Sequence, residues 1–184
     1  MSYLKAFEAA LPWQDYLDTA PNDAPHWLET MQSISLTDSQ QELLSTFTRH
    51  IRILVVSGAW CGDCVRQGPV LQAMALATPQ IELRFIDRDH PASPIDRLEI
   101  NGGKRVPVVI FMAEDGATVS VVGDRTLSYY RWMAAQRLGP ACPIPGAPVP
   151  ADVLTSMTQD WVDECERVHL LLRLSPRLRE LHQD

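Results

Sequence analysis

Residues 57–69, SGAWCGDCVRQGP, set two cysteines three positions apart between two different patterns. Before them, residues 51–56 (IRILVV) form a short, apolar, β-branched run, as expected of a strand covered on both faces. After them, residues 62–77 carry Val65, Val70, Leu71, Met74 and Leu76 with few β-branched side chains, and predict a helix ending before Pro79. Residues 81–86 (IELRFI) alternate and predict a second strand. Cys61 and Cys64 therefore fall at a strand-to-helix junction inside a β-α-β unit.

Working outward, residues 106–112 (VPVVIFM) and 117–122 (ATVSVV) flank a tight turn at Asp115-Gly116, which predicts a β-hairpin. Gly123-Asp124 then opens a helix to about Leu138, with Asp124 or Thr126 as its cap. A strand, helix and strand, then a crossover, a hairpin and a closing helix predict an α/β fold: a mixed central sheet flanked by helices. Upstream, Leu4, Phe7 and Leu11 have helical spacing up to Pro12, and a short helical piece surrounds Trp27. Thr37 with Gln40 predicts a capping box for a helix running to about His50. Downstream, residues 139–150 (GPACPIPGAPVP) hold five prolines and predict an extended tether. Asp152 then caps a helix with Leu154, Met157, Trp161, Cys165, Val168 and Leu172 on one face, stopped by Pro176. The organisation expected is an N-terminal helical extension (1–36), a central α/β domain (37–139), a proline-rich linker (140–151) and a C-terminal helix packing back on the domain (152–184).

The chain of 184 residues is 46% hydrophobic and 21% charged, the balance of an ordinary globule. A net charge of −7 argues against nucleic acid as a partner, since phosphate binding needs a concentrated basic surface. No apolar run approaches the roughly 18–20 residues that span a bilayer, so no membrane association is expected. The start, MSYLKAFEAALPWQDYLD, lacks the features of a secretory signal, and a cytoplasmic location is the expectation. Thiols there are kept reduced, so a close CxxC reads as catalytic or metal-binding rather than structural. A zinc site would need Cys142 and Cys165 as further ligands, but neither lies in a ligand pair, and no HxxxH or HExxH is present. Cys165 reads as a buried, inert thiol on its helix stripe. At a helix start, free backbone N–H groups and the macrodipole favour a Cys61 thiolate, while Cys64, one turn on, is more shielded.

Trp60-Cys61-Gly62-Asp63-Cys64 resembles the WCxxC motif of the thioredoxin superfamily, and Pro69 matches the proline that bends that family's active-site helix. Val106-Pro107 falls where the family has its cis-proline, and Gly116 and Gly123 also fit. The resemblance covers roughly residues 37–139. It implies a thiol–disulfide oxidoreductase, acting as a reductant on protein disulfides, recharged by a reductase and needing no cofactor or metal. Cys61 would be the nucleophile and Cys64 the resolving thiol; Trp60, Val106 and Pro107 would contact the substrate. A non-catalytic adaptor on the same fold is the alternative.

Two departures stand out. The family's buried aspartate in the first strand is Val55 here, and its paired lysine falls at Leu83. Asp63 replaces the motif's proline: a carboxylate suits a helix N-terminus but should oppose a neighbouring thiolate. Arg105 and Arg66 are the candidates to offset it, with Arg66 read as a solvated surface residue.

Overall fold

The computed structural model describes residues 2–138 and 152–184. Four helices precede the first strand: α1 (Tyr3–Ala9), α2 (Trp13–Asp18), α3 (Ala24–Gln32) and α4 (Asp38–Ser45). β1 (Ile51–Ser57), α5 (Gly62–Ala77) and β2 (Ile81–Asp87) then form the β-α-β unit. A 3-10 turn at Ile95–Arg97 leads to the hairpin of β3 (Val108–Ala113) and β4 (Thr118–Gly123), followed by α6 (Leu127–Arg137). The chain closes with α7 (Val153–Leu174) and α8 (Pro176–His182).

The sheet order is β2-β1-β3-β4, with β1 parallel to β2 and antiparallel to β3, and β3 antiparallel to β4. Mixed direction is thus confirmed. β1 lies inside the sheet and is almost wholly buried, which is why its sequence is a continuous apolar run. β4 is an edge strand, and none of its residues is buried. In the hairpin turn Gly116 has a φ of 81°, a left-handed conformation that a residue with a Cβ rarely adopts.

Several elements depart from the sequence expectations. The Thr37–Gln40 capping box forms with both reciprocal hydrogen bonds, but its helix stops at Ser45 rather than near His50. The Thr46 hydroxyl donates back to the Leu43 carbonyl, and the Thr48 N–H donates to His169 of α7 instead of continuing the helix. β3 begins at Val108 because Pro107 has no N–H for the ladder. Thr126 caps α6, whereas Asp124 is engaged by side chains described below. Pro176 does end α7, yet it also starts α8 from the first turn, where a missing N–H costs nothing. The proline-rich tether and Cys142 lie outside the described residues.

Both terminal segments share the core of the sheet. In the N-terminal one, Leu11 makes a two-bond bridge to Phe85 of β2, and Phe7, Tyr16, Leu17 and Trp27 are buried. Tyr16 stacks on Phe85 at 5.3 Å between centroids, and Trp27 meets both rings edge-on. Trp27 packs over Gly68 of α5, where a Cβ would overlap its ring. In α7, Met157, Trp161, Val162, Cys165, Val168 and Leu172 are buried, and Trp161 tilts against Phe111 of β3. Arg49, ahead of β1, pairs with Asp184 at the end of the chain.

Candidate functional site

The cysteine motif occupies the loop between β1 and α5. Cys61 is the N-cap of α5, with an extended backbone and no side-chain capping bond, and so stands at the positive end of the helix beside its free N–H groups. It is half-buried, while Cys64 is fully buried one turn further in, and both thiols are free. Val106 and Pro107, joined by a cis peptide bond as the resemblance implied, sit opposite. The Cys61 thiol lies 3.6 Å from the Val106 carbonyl, to which it donates when protonated.

The two thiols are driven apart in acidity. The Cys64 thiol, donating toward the Cys61 sulfur, lowers Cys61 to about 6; the backbone N–H groups of Cys64 and Asp63 help, against burial and the Asp63 charge. Cys64 moves the other way, well above the ordinary thiol value, first because it is buried and then because of its neighbour Cys61. The opposition expected at Asp63 is therefore real but outweighed.

Asp63 has partners the sequence did not reveal. Its carboxylate pairs with Arg125, from the β4–α6 loop, and accepts a 2.9 Å hydrogen bond from the Tyr129 hydroxyl. Arg105 does not offset Asp63; it pairs instead with Asp124, whose carboxylate also receives Arg125 and the Tyr130 hydroxyl. The arginine fork thus ties Asp63 at the start of α5 to Asp124 before α6, with both charges covered. Burial opposes the charge on Arg125, but the two aspartates outweigh it and raise its pKa. Tyr129, buried and donating to Asp63, is pushed up to about 12. Arg66 is not simply solvated either: its guanidinium lies over the Tyr129 and Trp132 rings at 5.8 and 5.7 Å.

Around the sulfur, a shallow cleft of about 280 Å³ is lined by Trp60, Cys61, Asp63, Arg88, Arg105 and Arg125 among others. Trp60 is 55% exposed, and Arg88 covers its ring at 4.8 Å. A larger cleft of about 540 Å³ opens on the other side of Trp60, between α3 and the start of α7. Val55 and Leu83 are buried and apolar. The Ser57 hydroxyl lies within interaction distance of the Cys64 sulfur, and both it and the Tyr16 hydroxyl are buried without a hydrogen bond of ordinary geometry. Among the described residues, no three His, Cys, Asp or Glu side chains converge as metal ligands. No helix among them is long and apolar enough to cross a membrane.

Of the residues singled out in the sequence, Trp60, Cys61, Asp63 and Val106 line one cleft, with Pro107 joined to Val106 and Cys64 buried one turn beyond Cys61. Arg125 and Asp124 line it as well, Tyr129 donates to Asp63, and Arg88 covers Trp60. The only sequence signal for Arg125 was the presence of an uncompensated carboxylate inside the motif; spacing gave no means of choosing among the arginines.

The family model described as thioredoxin matches residues 10–137, further toward the N-terminus than the motif resemblance reached. Among curated proteins none matches in sequence. A crystal structure of a protein of unknown function from Pseudomonas aeruginosa is similar at a TM-score of 0.65 and 18% identity, over 94% of this chain and 98% of that one. An HIV epitope-scaffold is similar at 0.61 and 19% identity, over 92% and 93% of the two chains. Oxidised thioredoxin O2 from Arabidopsis thaliana aligns at 0.35 and 19% identity, over 55% and 88%. The first two likenesses, extending over both terminal segments, speak to the fold.

Proposed function

We propose, from the premise that this chain belongs to the thioredoxin family, that it is a thiol–disulfide oxidoreductase working through Cys61 and Cys64. The observation that carries this reading is the paired geometry of the thiols: a half-exposed sulfur at a helix N-terminus, backed by a fully buried one a turn away. At neutral pH Cys61 is mostly thiolate and Cys64 is a thiol. The Cys61 thiolate attacks one sulfur of a substrate disulfide, and the other sulfur leaves as a thiolate that takes a proton from water. Cys64 then loses its proton and attacks the Cys61 sulfur. A Cys61–Cys64 disulfide forms, the second substrate sulfur leaves with the bonding pair, and two electrons have passed to the substrate.

Substrate chains would lie along Val106–Pro107, pairing with the Val106 backbone as an added extended segment, with Trp60 as a platform beside the sulfur. Asp63 and Arg105 act here as modulators, Asp63 directly and Arg105 through Asp124. A Cys61 value near 6 lies closer to the ~7 of thioredoxin than to the ~3.5 of a strong oxidant such as DsbA, which supports action as a reductant. A reductase of the cytoplasm would then return the pair to the dithiol, and the sulfurs themselves carry the electrons without a cofactor. We keep 37–139 as the catalytic unit, with 1–36 and 152–184 as extensions joined to it directly and through 140–151.

A model peptide disulfide tests the assignment. Cys64→Ser should accumulate a mixed disulfide at Cys61, detected by mass, while Cys61→Ser should form none. Capture through Cys64, or no capture by either variant, contradicts the roles given.

A further inference from the structure

Resolution of the mixed disulfide requires a proton to leave Cys64, which is fully buried and whose thiol is less acidic than usual. Val55 and Leu83 are apolar and buried, so neither offers a carboxylate to take that proton. Two hydroxyls are at hand. Ser57, the last residue of β1, lies within interaction distance of both the Cys64 sulfur and the Tyr16 phenol. Tyr16 comes from α2 in the N-terminal extension, its ring fixed by stacking on Phe85 and an edge contact with Trp27.

These hydroxyls are 0% and 2% exposed by residue, and neither makes a hydrogen bond of ordinary geometry to any other group. Leaving a buried hydroxyl unpaired costs free energy that water would otherwise supply. Two such groups, side by side next to a buried reactive sulfur, form an uncommon arrangement for a core. Tyr16 also lines a cleft of about 230 Å³ shared with Asp87 and His90, ample for water. The sequence of groups from sulfur to solvent is therefore Cys64, Ser57, Tyr16, then the Asp87 cleft.

We propose that Ser57 and Tyr16 form a proton relay for Cys64, replacing a buried carboxylate with two hydroxyls, one of them supplied by the N-terminal extension. This rests on the oxidoreductase reading above. As Cys64 attacks the Cys61 sulfur, its proton passes to the Ser57 oxygen. Ser57 hands its own proton to the Tyr16 oxygen, and Tyr16 releases one to water in the Asp87 cleft. Each hydroxyl ends neutral, one proton has left the core, and the Cys64 electron pair has gone into the new S–S bond as the substrate sulfur departs with the old one. Ser57 is the group beside the reacting sulfur, and Tyr16 acts through Ser57 as a relay residue.

The test uses a chain carrying Cys142→Ser, mixed with the aromatic disulfide dithiobis(nitrobenzoate) in a stopped-flow spectrometer. Attack by Cys61 releases one coloured thiolate, and resolution by Cys64 releases a second. Tyr16→Phe keeps the ring and its packing, and Ser57→Ala removes only the hydroxyl. Each should slow the second release by about a hundredfold relative to the first, the low end of what a positioned proton acceptor contributes. Because the groups act in one chain, the double variant should be no slower than the more severe single one, a non-additivity that independent packing losses would not show. An unchanged second release, equal slowing of both releases, or simple additivity overturns the relay while leaving the oxidoreductase standing. A parent chain with no second release overturns the oxidoreductase reading itself, and the relay with it.

Discussion

Replacing Cys64 with alanine should raise the titration midpoint of Cys61, by an amount the structure lets one work out. Cys61 is held at about 6, first by the Cys64 thiol donating toward its sulfur and then by backbone N–H groups that alanine would leave in place. A hydrogen bond to a charged acceptor contributes about 1.5–3 kcal/mol, and about 1.4 kcal/mol corresponds to one pH unit. Loss of the S–H donor therefore moves the midpoint up by about one to two pH units. At pH 6 the thiolate population of Cys61 should fall by about five- to fifty-fold. The assay is the rate of iodoacetamide alkylation of Cys61 against pH, read by mass on the Cys61 peptide. The midpoint is the readout rather than the absolute rate, because the intrinsic nucleophilicity of a thiolate rises with its basicity and partly offsets its scarcity. A midpoint that stays near 6 in the alanine variant would refute this account and assign the acidity to the helix N-terminus alone.

Other perturbations follow from the surroundings of the motif. Arg125→Leu leaves Asp63 and Asp124 without their shared cation and should cost about 1–3 kcal/mol in urea unfolding; the guanidinium is partly solvated and both aspartates keep tyrosine donors, so the loss falls below that of a fully buried pair. The same variant should raise the Cys61 midpoint, since Asp63 would then oppose the thiolate without a counter-charge. Gly68→Ala drives a methyl into the buried Trp27 ring, which is pinned by its 2.9 Å hydrogen bond to the Ala59 carbonyl, and should cost about 1–3 kcal/mol by the same measurement. His169 accepts the Thr48 N–H and has a lowered pKa, through burial first and then Arg173 and Arg49. The unfolded chain therefore binds its proton at higher pH than the fold does, so this contribution to stability is complete above about pH 6.5 and is lost as pH falls through the folded value. His169→Gln should flatten that part of the stability profile; an unaltered profile would contradict the assignment.

The parts of this fold that were legible in the sequence are those set by local pattern. The bounds of α5, the buried run of β1, the Thr37–Gln40 capping box and the hairpin turn at Gly116 each follow from nearby residues. α2 was hidden because Pro12 marks the end of one helix as readily as the approach to the next, and α8 because Pro176 does the same. The early end of α4 depends on His169, 121 residues away, which takes the Thr48 N–H. In the candidate site the motif itself was visible, but the partner of Asp63 was not. Arg105 and Arg125 are equally charged and both near Asp124, and only the path of the β4–α6 loop brings Arg125 to Asp63. The Tyr16 hydroxyl beside Ser57 is hidden for a similar reason, since it depends on how an extension packs against β2.

The central claim, that Cys61 and Cys64 are a working redox pair, is tested most directly by equilibrating the protein in dithiothreitol or glutathione buffers of graded potential. Free thiols are then trapped by alkylation and counted by mass, with Cys61→Ser alongside. The account predicts a clean two-electron transition between dithiol and Cys61–Cys64 disulfide, at a potential on the reducing side near the ~−270 mV of thioredoxin, and none in the serine variant. Absence of an intramolecular disulfide at every potential would contradict it.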